Sequence, residues 1–146
     1  MSEQSISEQS NSQQPILEIE NLSISFFTQA GEIPAVMDFS CSVMPGDSMG
    51  LVGESGCGKS TVALAIMRYL GNNGDIVNGS IKFKGRDMAT MTKEEMRGIH
   101  GSEIAMIYQV PMASLNPAMK IARQLMEVPL IHEKVSEAQA EARCLE

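Results

Sequence analysis

The run Gly53-Glu54-Ser55-Gly56-Cys57-Gly58-Lys59-Ser60-Thr61 leaves a chain few ways to fold. Its glycines separate a short apolar segment, residues 48–52, from a nearly all-apolar one, residues 61–70. That order predicts a buried strand, a tight loop and an enclosed helix. Consecutive backbone N–H groups in such a loop form a concave nest that side chains would obstruct. Glycine at 53, 56 and 58 permits the positive dihedrals and close approach the nest needs. A helix opening near Lys59 turns its free N–H groups and positive dipole end toward the same point, which suits an anion.

The remaining residue types sharpen that anion. Lys59 offers a mobile point charge, and the Ser60 hydroxyl suits a magnesium ion. Gly, four residues, then Gly-Lys-Ser is the phosphate-loop pattern. It arises by accident in roughly one chain of this length in two hundred. Here it also has its strand and helix, so the expected ligand is a nucleotide polyphosphate: ATP with Mg2+. Cys57 lies inside the nest at the positive helix end, so it is expected to alkylate readily and to be shielded by MgATP.

The flanks read as an α/β protein. Residues 16–26 carry a strand period, clearest at Leu22, Ile24 and Phe26. Gly31 marks a turn before a second strand over 35–43, and Pro45-Gly46-Asp47 marks another. Residues 80–84 alternate as a half-buried strand. Thr92 with Glu95 forms a capping box for a helix to about Gly98. Residues 103–108 are a further buried-strand candidate. Asn116-Pro117 predicts a helix start, with the helix running to about Glu127. Ser136 with Gln139 repeats the capping box for a last helix. Residues 1–14, rich in Ser and Gln, are expected to be disordered, and 15–146 to form one domain.

Charge and composition exclude several classes. Net charge is −7, from 11 basic and 18 acidic residues, which argues against a nucleic-acid footprint. The longest apolar run, residues 62–67, is far short of a membrane span. The first residues lack the apolar stretch of a secretory signal, so a cytoplasmic location is expected, with membrane association only through a partner. The three cysteines show no metal-ligand spacing and suggest no disulfide framework. His100 and His132 have no second ligand at suitable spacing and read as structural or surface residues.

The glycine loop resembles the Walker A segment of ABC transporter ATPases. Ile104-Ala105-Met106-Ile107-Tyr108-Gln109 and Pro111-Met112-Ala113-Ser114-Leu115-Asn116-Pro117 resemble the Q-loop of the oligopeptide/dipeptide (and nickel) importer branch. Arg97, Gly101, Gln124, Leu125, Glu127 and His132 agree with it. The resemblance implies a P-loop NTPase of ABC type, with an antiparallel β layer, a Walker A strand-loop-helix core and the start of a helical subdomain. It implies that Phe26 stacks on adenine, although a plain strand role is open and Phe27 adjoins it. It implies that Gly53, Glu54, Ser55, Gly56, Cys57, Gly58, Lys59, Ser60 and Thr61 hold the phosphates, with Ser60 on the metal. Gln109 matches the glutamine that reaches metal and attacking water. The implied partners are membrane permease subunits and a second ATPase subunit, with the chain on the inner face of the cell membrane. Met106, Met112, Met119 and Met126 either face the permease or fill the core.

Two departures qualify the resemblance. Val110 stands where an acidic residue is usual. The chain also holds no Leu-Ser-Gly-Gly-Gln signature, no apolar strand closing in Asp-Glu and no later switch histidine. A partial ABC domain is therefore expected, one that binds ATP, turns it over slowly and exposes apolar surface. A non-catalytic ATP-binding remnant and a soluble P-loop kinase are the alternatives.

Overall fold

A computed structural model describes residues 14–145, so most of the expected disordered tail lies outside the described residues. The chain divides into two compact units, the first ending at Thr90 and the second starting at Met91.

The first unit is built on an antiparallel sheet. Strand β1 (Leu17–Thr28) pairs with β2 (Gly31–Val43) on one side and β3 (Gly74–Phe83) on the other. A short β4 (Arg86–Asp87) completes the order β2-β1-β3-β4. The expected period of two holds at Leu22 and Ile24, while the pairing with β2 shifts register at three places and Ser25 is buried beside Ile24. Ile19 and Leu22 are both buried although three residues apart, because Asn21 turns left-handed at φ 48° and the pairing shifts there. Gly79 of β3 lies against this bulge, where a Cβ would come within 2.4 Å of the Asn21 carbonyl oxygen. Leu22 and Ile24 are fully buried; Ile81, Phe83 and Met88 add to the core.

Helix α1 (Lys59–Ile66) opens at Lys59 as expected and ends four residues before the expected point. Val62 and Ala65 are its buried contribution, with Met67 at the C-cap also buried. Arg68, at φ 53°, ends it: the Arg68 and Tyr69 N–H groups close on the Ala65 and Leu64 carbonyls. Pro45-Gly46 makes the expected turn, with Gly46 at φ 86° and the Asp47 N–H on the Met44 carbonyl at 3.1 Å.

Two expected strands do not form. Residues 48–52 form no ladder, and Val52 is 93% exposed. Residues 105–108 are likewise unpaired, with Ile107 90% exposed, and Ile104 makes only an isolated bridge to His100. An apolar run becomes a buried strand only when neighbours take its N–H and C=O groups. Among the described residues, none does so for these two segments. The expected exposed apolar surface is accordingly present.

In the second unit both capping boxes form as read. Thr92 caps α2 (Lys93–Ile99) with Glu95, and Ser136 caps α4 (Glu137–Cys144) with Gln139. A 3-10 turn spans Pro111–Ser114. Helix α3 (Ile121–His132) departs from expectation, starting at Lys120 rather than at Asn116. The Asn116 side chain instead accepts the Ala118 N–H at 2.9 Å, closing a local turn that competes with helix. The helix then continues through Pro129 to His132.

Candidate nucleotide-binding site

The glycine loop connects residues 48–52 to α1, and its glycines have different duties. Gly56 and Gly58 have φ of 83° and 93°, a region costly for any side-chain-bearing residue. Gly58 is further constrained, because an added Cβ would lie 2.7 Å from the Ala35 carbonyl oxygen on β2. Gly56 has open space instead, with nothing within 4 Å of that position. Gly53 does not take a positive φ. Its reason is proximity: a Cβ there would meet the Cys57 Sγ at 2.6 Å.

At the loop's far end Gly58 caps α1 with no side-chain bond. The Val62 N–H bonds the Gly58 carbonyl at 2.9 Å. The N–H groups of Lys59, Ser60 and Thr61 therefore precede the first helical donor, that of Val62, and point out of the helix start. Ser60 is exposed there and Thr61 half-buried. The Lys59 Nζ folds back, donating to the carbonyls of Gly53 at 2.8 Å and Glu54 at 2.5 Å, with the Cys57 Sγ at 3.4 Å. An ammonium bridging two loop carbonyls holds a positive charge at the mouth of the nest, where phosphate oxygens could replace those acceptors. The residues therefore fit a polyphosphate: a side-chain-free cradle, unengaged helix-start N–H groups, one cation and a hydroxyl. Glu54, Ser55 and Cys57 are exposed on the rim.

The other expected site residues are placed less decisively. Phe26 is half-buried on β1, and its ring fills the position a Cβ on Gly74 would need, 2.7 Å away. Phe27, beside it, is 47% exposed. Gln109 belongs to the second unit, exposed at the edge of a hollow of about 500 Å3 lined by Tyr108, Val110 and Ser114. Val110 and Met112 are exposed, while Met106, Met119 and Met126 are half-buried. Motif reading carried no sign of Ala35, whose carbonyl requires glycine at 58, and it marked Gln124 only as agreeing with the resemblance, not that its side chain binds the loop after Gln109. Neither role has a local pattern, because both act through backbone atoms of another segment.

A glycine cradle at a helix start is the arrangement of a phosphate-binding loop, and comparison agrees. The family profile described as ABC transporter matches residues 36–145, and the chain belongs to that family. Its relatives include the oligopeptide transport ATP-binding protein OppD of Bacillus subtilis (strain 168), 41% identical over 132 residues, which cover 90% of this chain and 37% of that protein. OppD of Salmonella typhimurium is 42% identical over 125 residues, covering 86% and 37%. The dipeptide transport ATP-binding protein DppD of Lactococcus lactis subsp. cremoris is 40% identical over 135 residues, covering 92% and 39%. The chain thus spans about two fifths of the length of these relatives. The ATP-binding cassette MJ0796, solved as a dimer with ADP and Pi, matches at a TM-score of 0.70 and 16% identity. That match covers 88% of this chain and 54% of MJ0796, and it supports the fold. Family membership sets aside the soluble kinase.

Proposed function

We propose that this chain binds MgATP through Gly53–Thr61 as part of the ATPase subunit that energises peptide import across the cytoplasmic membrane. The observation that carries the reading is the loop itself, with Gly56 and Gly58 left-handed and Lys59 held over its mouth. Support for the peptide branch comes from relatives whose names are oligopeptide and dipeptide transport ATP-binding proteins.

In this reading the loop N–H groups and Lys59 wrap the phosphates, Ser60 ligates magnesium and Phe26 flanks the adenine. Gln109 reaches the metal and attacking water. Bound magnesium would neutralise charge on the transferring phosphoryl group. The permease subunits and a second ATPase subunit are the partners, at the inner face of the membrane. Among the described residues no helix is long and apolar enough to cross a membrane, so attachment through a permease suits the chain. The 146 residues hold no signature motif, and hydrolysis by them alone is expected to be slow.

Isothermal titration of the chain with ATP, with and without Mg2+, tests this reading. Saturable one-site binding that tightens with magnesium is expected. Heats indistinguishable from dilution at millimolar ATP would overturn it.

A further inference from the structure

One glutamine side chain in the second unit is committed to backbone atoms eight residues away. Gln124 lies in the first turn of α3, its own N–H on the Lys120 carbonyl at 3.3 Å. Its Oε1 accepts the Asn116 N–H at 2.8 Å. Its Nε2 donates to the Asn116 carbonyl at 3.0 Å and to the Met119 carbonyl at 3.0 Å. The carboxamide thus pairs with both polar groups of one residue, as a neighbouring strand would, and also secures the residue before Lys120. Asn116 is engaged on every backbone atom able to bond, because its carbonyl also takes the Met119 N–H at 3.1 Å.

The clamped residue ends the segment that carries Gln109. From Gln109 the chain passes through the 3-10 turn Pro111–Ser114, and the Leu115 N–H bonds the Met112 carbonyl at 3.3 Å. Asn116 follows directly, and the clamp ties it to α3. Only a few residues then separate Gln109 from an anchored point, so its backbone has little freedom to wander.

We propose that Gln124 is a positioning residue for Gln109, holding the loop between them closed before nucleotide arrives. This rests on the role given to Gln109 above. The chemistry selects the side chain: one acceptor and two donors at this reach belong to glutamine. Glutamate would set a carboxylate against two carbonyl oxygens. Methionine matches the length and helix propensity but makes none of the three bonds.

Gln124→Met and Gln124→Glu, made in the full chain, test the proposal by amide hydrogen exchange and by ATP titration. Without nucleotide, exchange at Asn116 is expected to rise about tenfold or more in Gln124→Met and less in Gln124→Glu, which keeps an acceptor for the Asn116 N–H, while α4 amides keep the parent rates. Unchanged exchange at Asn116 overturns the clamp. In titrations, Gln124→Met is expected to leave magnesium-free ATP affinity at the parent value and to weaken MgATP binding several-fold. Adding Gln109→Ala is expected to cost nothing more than Gln109→Ala alone, since Gln124 acts through Gln109. Additive losses overturn the positioning role and leave a merely structural contact. If Gln109→Ala alone leaves MgATP affinity unchanged, the function assigned to Gln109 fails and the positioning role with it, whatever the exchange shows about the clamp.

Discussion

The sheet of the first unit and the segment that feeds its glycine loop are both apolar, yet only the sheet is closed. Leu22 on β1 is fully buried, whereas Val52, just before the loop, is 93% exposed. The difference is one of partners. β1 and β2 are joined by a tight turn, Thr28 opposite Gly31, so each supplies the other's hydrogen bonds from nearby in sequence. Residues 48–52 have the composition of a parallel core strand, which needs neighbours brought by long crossovers. The loop geometry is therefore held from its helix side, by α1 and by the close approach of Gly58 to Ala35, more than by the segment entering it.

Truncation at the two positions puts the contrast to its hardest test. Leu22→Ala is expected to destabilise the chain by about 2–5 kcal/mol, as for a packed core leucine. Val52→Ala is expected to stay within about 0.5 kcal/mol of the parent. Urea unfolding followed by circular dichroism reads both; comparable losses at the two sites would mean that residues 48–52 are packed in solution.

Gly58 and Gly56 sharpen the comparison inside the loop. Gly56→Ala meets only the backbone penalty of a left-handed residue, about 1–2 kcal/mol. Gly58→Ala meets that penalty and the Ala35 carbonyl as well, so it should lower stability further and weaken ATP binding more. Equal effects in parallel melts and titrations would remove the β2 contact from the account.

Much of this division was readable in the residues, and the unread part has a physical cause. The Leu22 and Ile24 alternation, the Pro45-Gly46 turn, both capping boxes and the glycine loop are local signals, and each appears where it was expected. The early part of β3 was not legible, because Asn72, Asn73, Gly74 and Gly79 look like turn residues. Gly79 is needed to lie against the Asn21 bulge on another strand, a demand no local pattern carries. The same holds for residues 48–52 and 103–108, whose strand character depends on partners outside their own sequence. Asn116 misled for the opposite reason: it is a good helix cap, but it spends its side chain on Ala118 and its backbone on Gln124.

Thiol chemistry contrasts the sheet with the loop more gently. Cys57 is exposed on the loop, while Cys41 is half-buried on β2, where desolvation pushes its thiol pKa up. Alkylation followed by peptide mass spectrometry should modify Cys57 first, and MgATP should slow Cys57 alone. Equal rates with and without nucleotide would place Cys57 outside the phosphate cradle.

The smallest effect is expected on the solvent-facing side of the two inner strands. Lys82 on β3 bonds Glu20 at 3.0 Å and Glu18 at 3.2 Å on β1. Its hydrogen bond and charge hold the Glu20 carboxyl below the usual carboxylate range, and its own ammonium pKa is raised, chiefly by the bond to Glu20. A lowered acid stabilises above its ordinary value and loses that contribution as pH falls through the folded one. A raised base loses its contribution only as pH climbs through its elevated value. The pair is therefore intact at neutral pH and lost in acid. Lys82→Met should slightly flatten the acid limb of thermal stability and leave ATP affinity alone; an unaltered acid limb would show that the pair adds nothing.

The central claim is that the backbone cradle at the start of α1, with Lys59 over its mouth, is shaped for a polyphosphate. Equilibrium titration of fluorescent ATP into the parent and into Lys59→Ala is its most direct measurement. Loss of the charge-assisted contacts should weaken binding by about tenfold or more with the fold intact. Equal affinity in the two proteins, or no binding by the parent, would contradict the account.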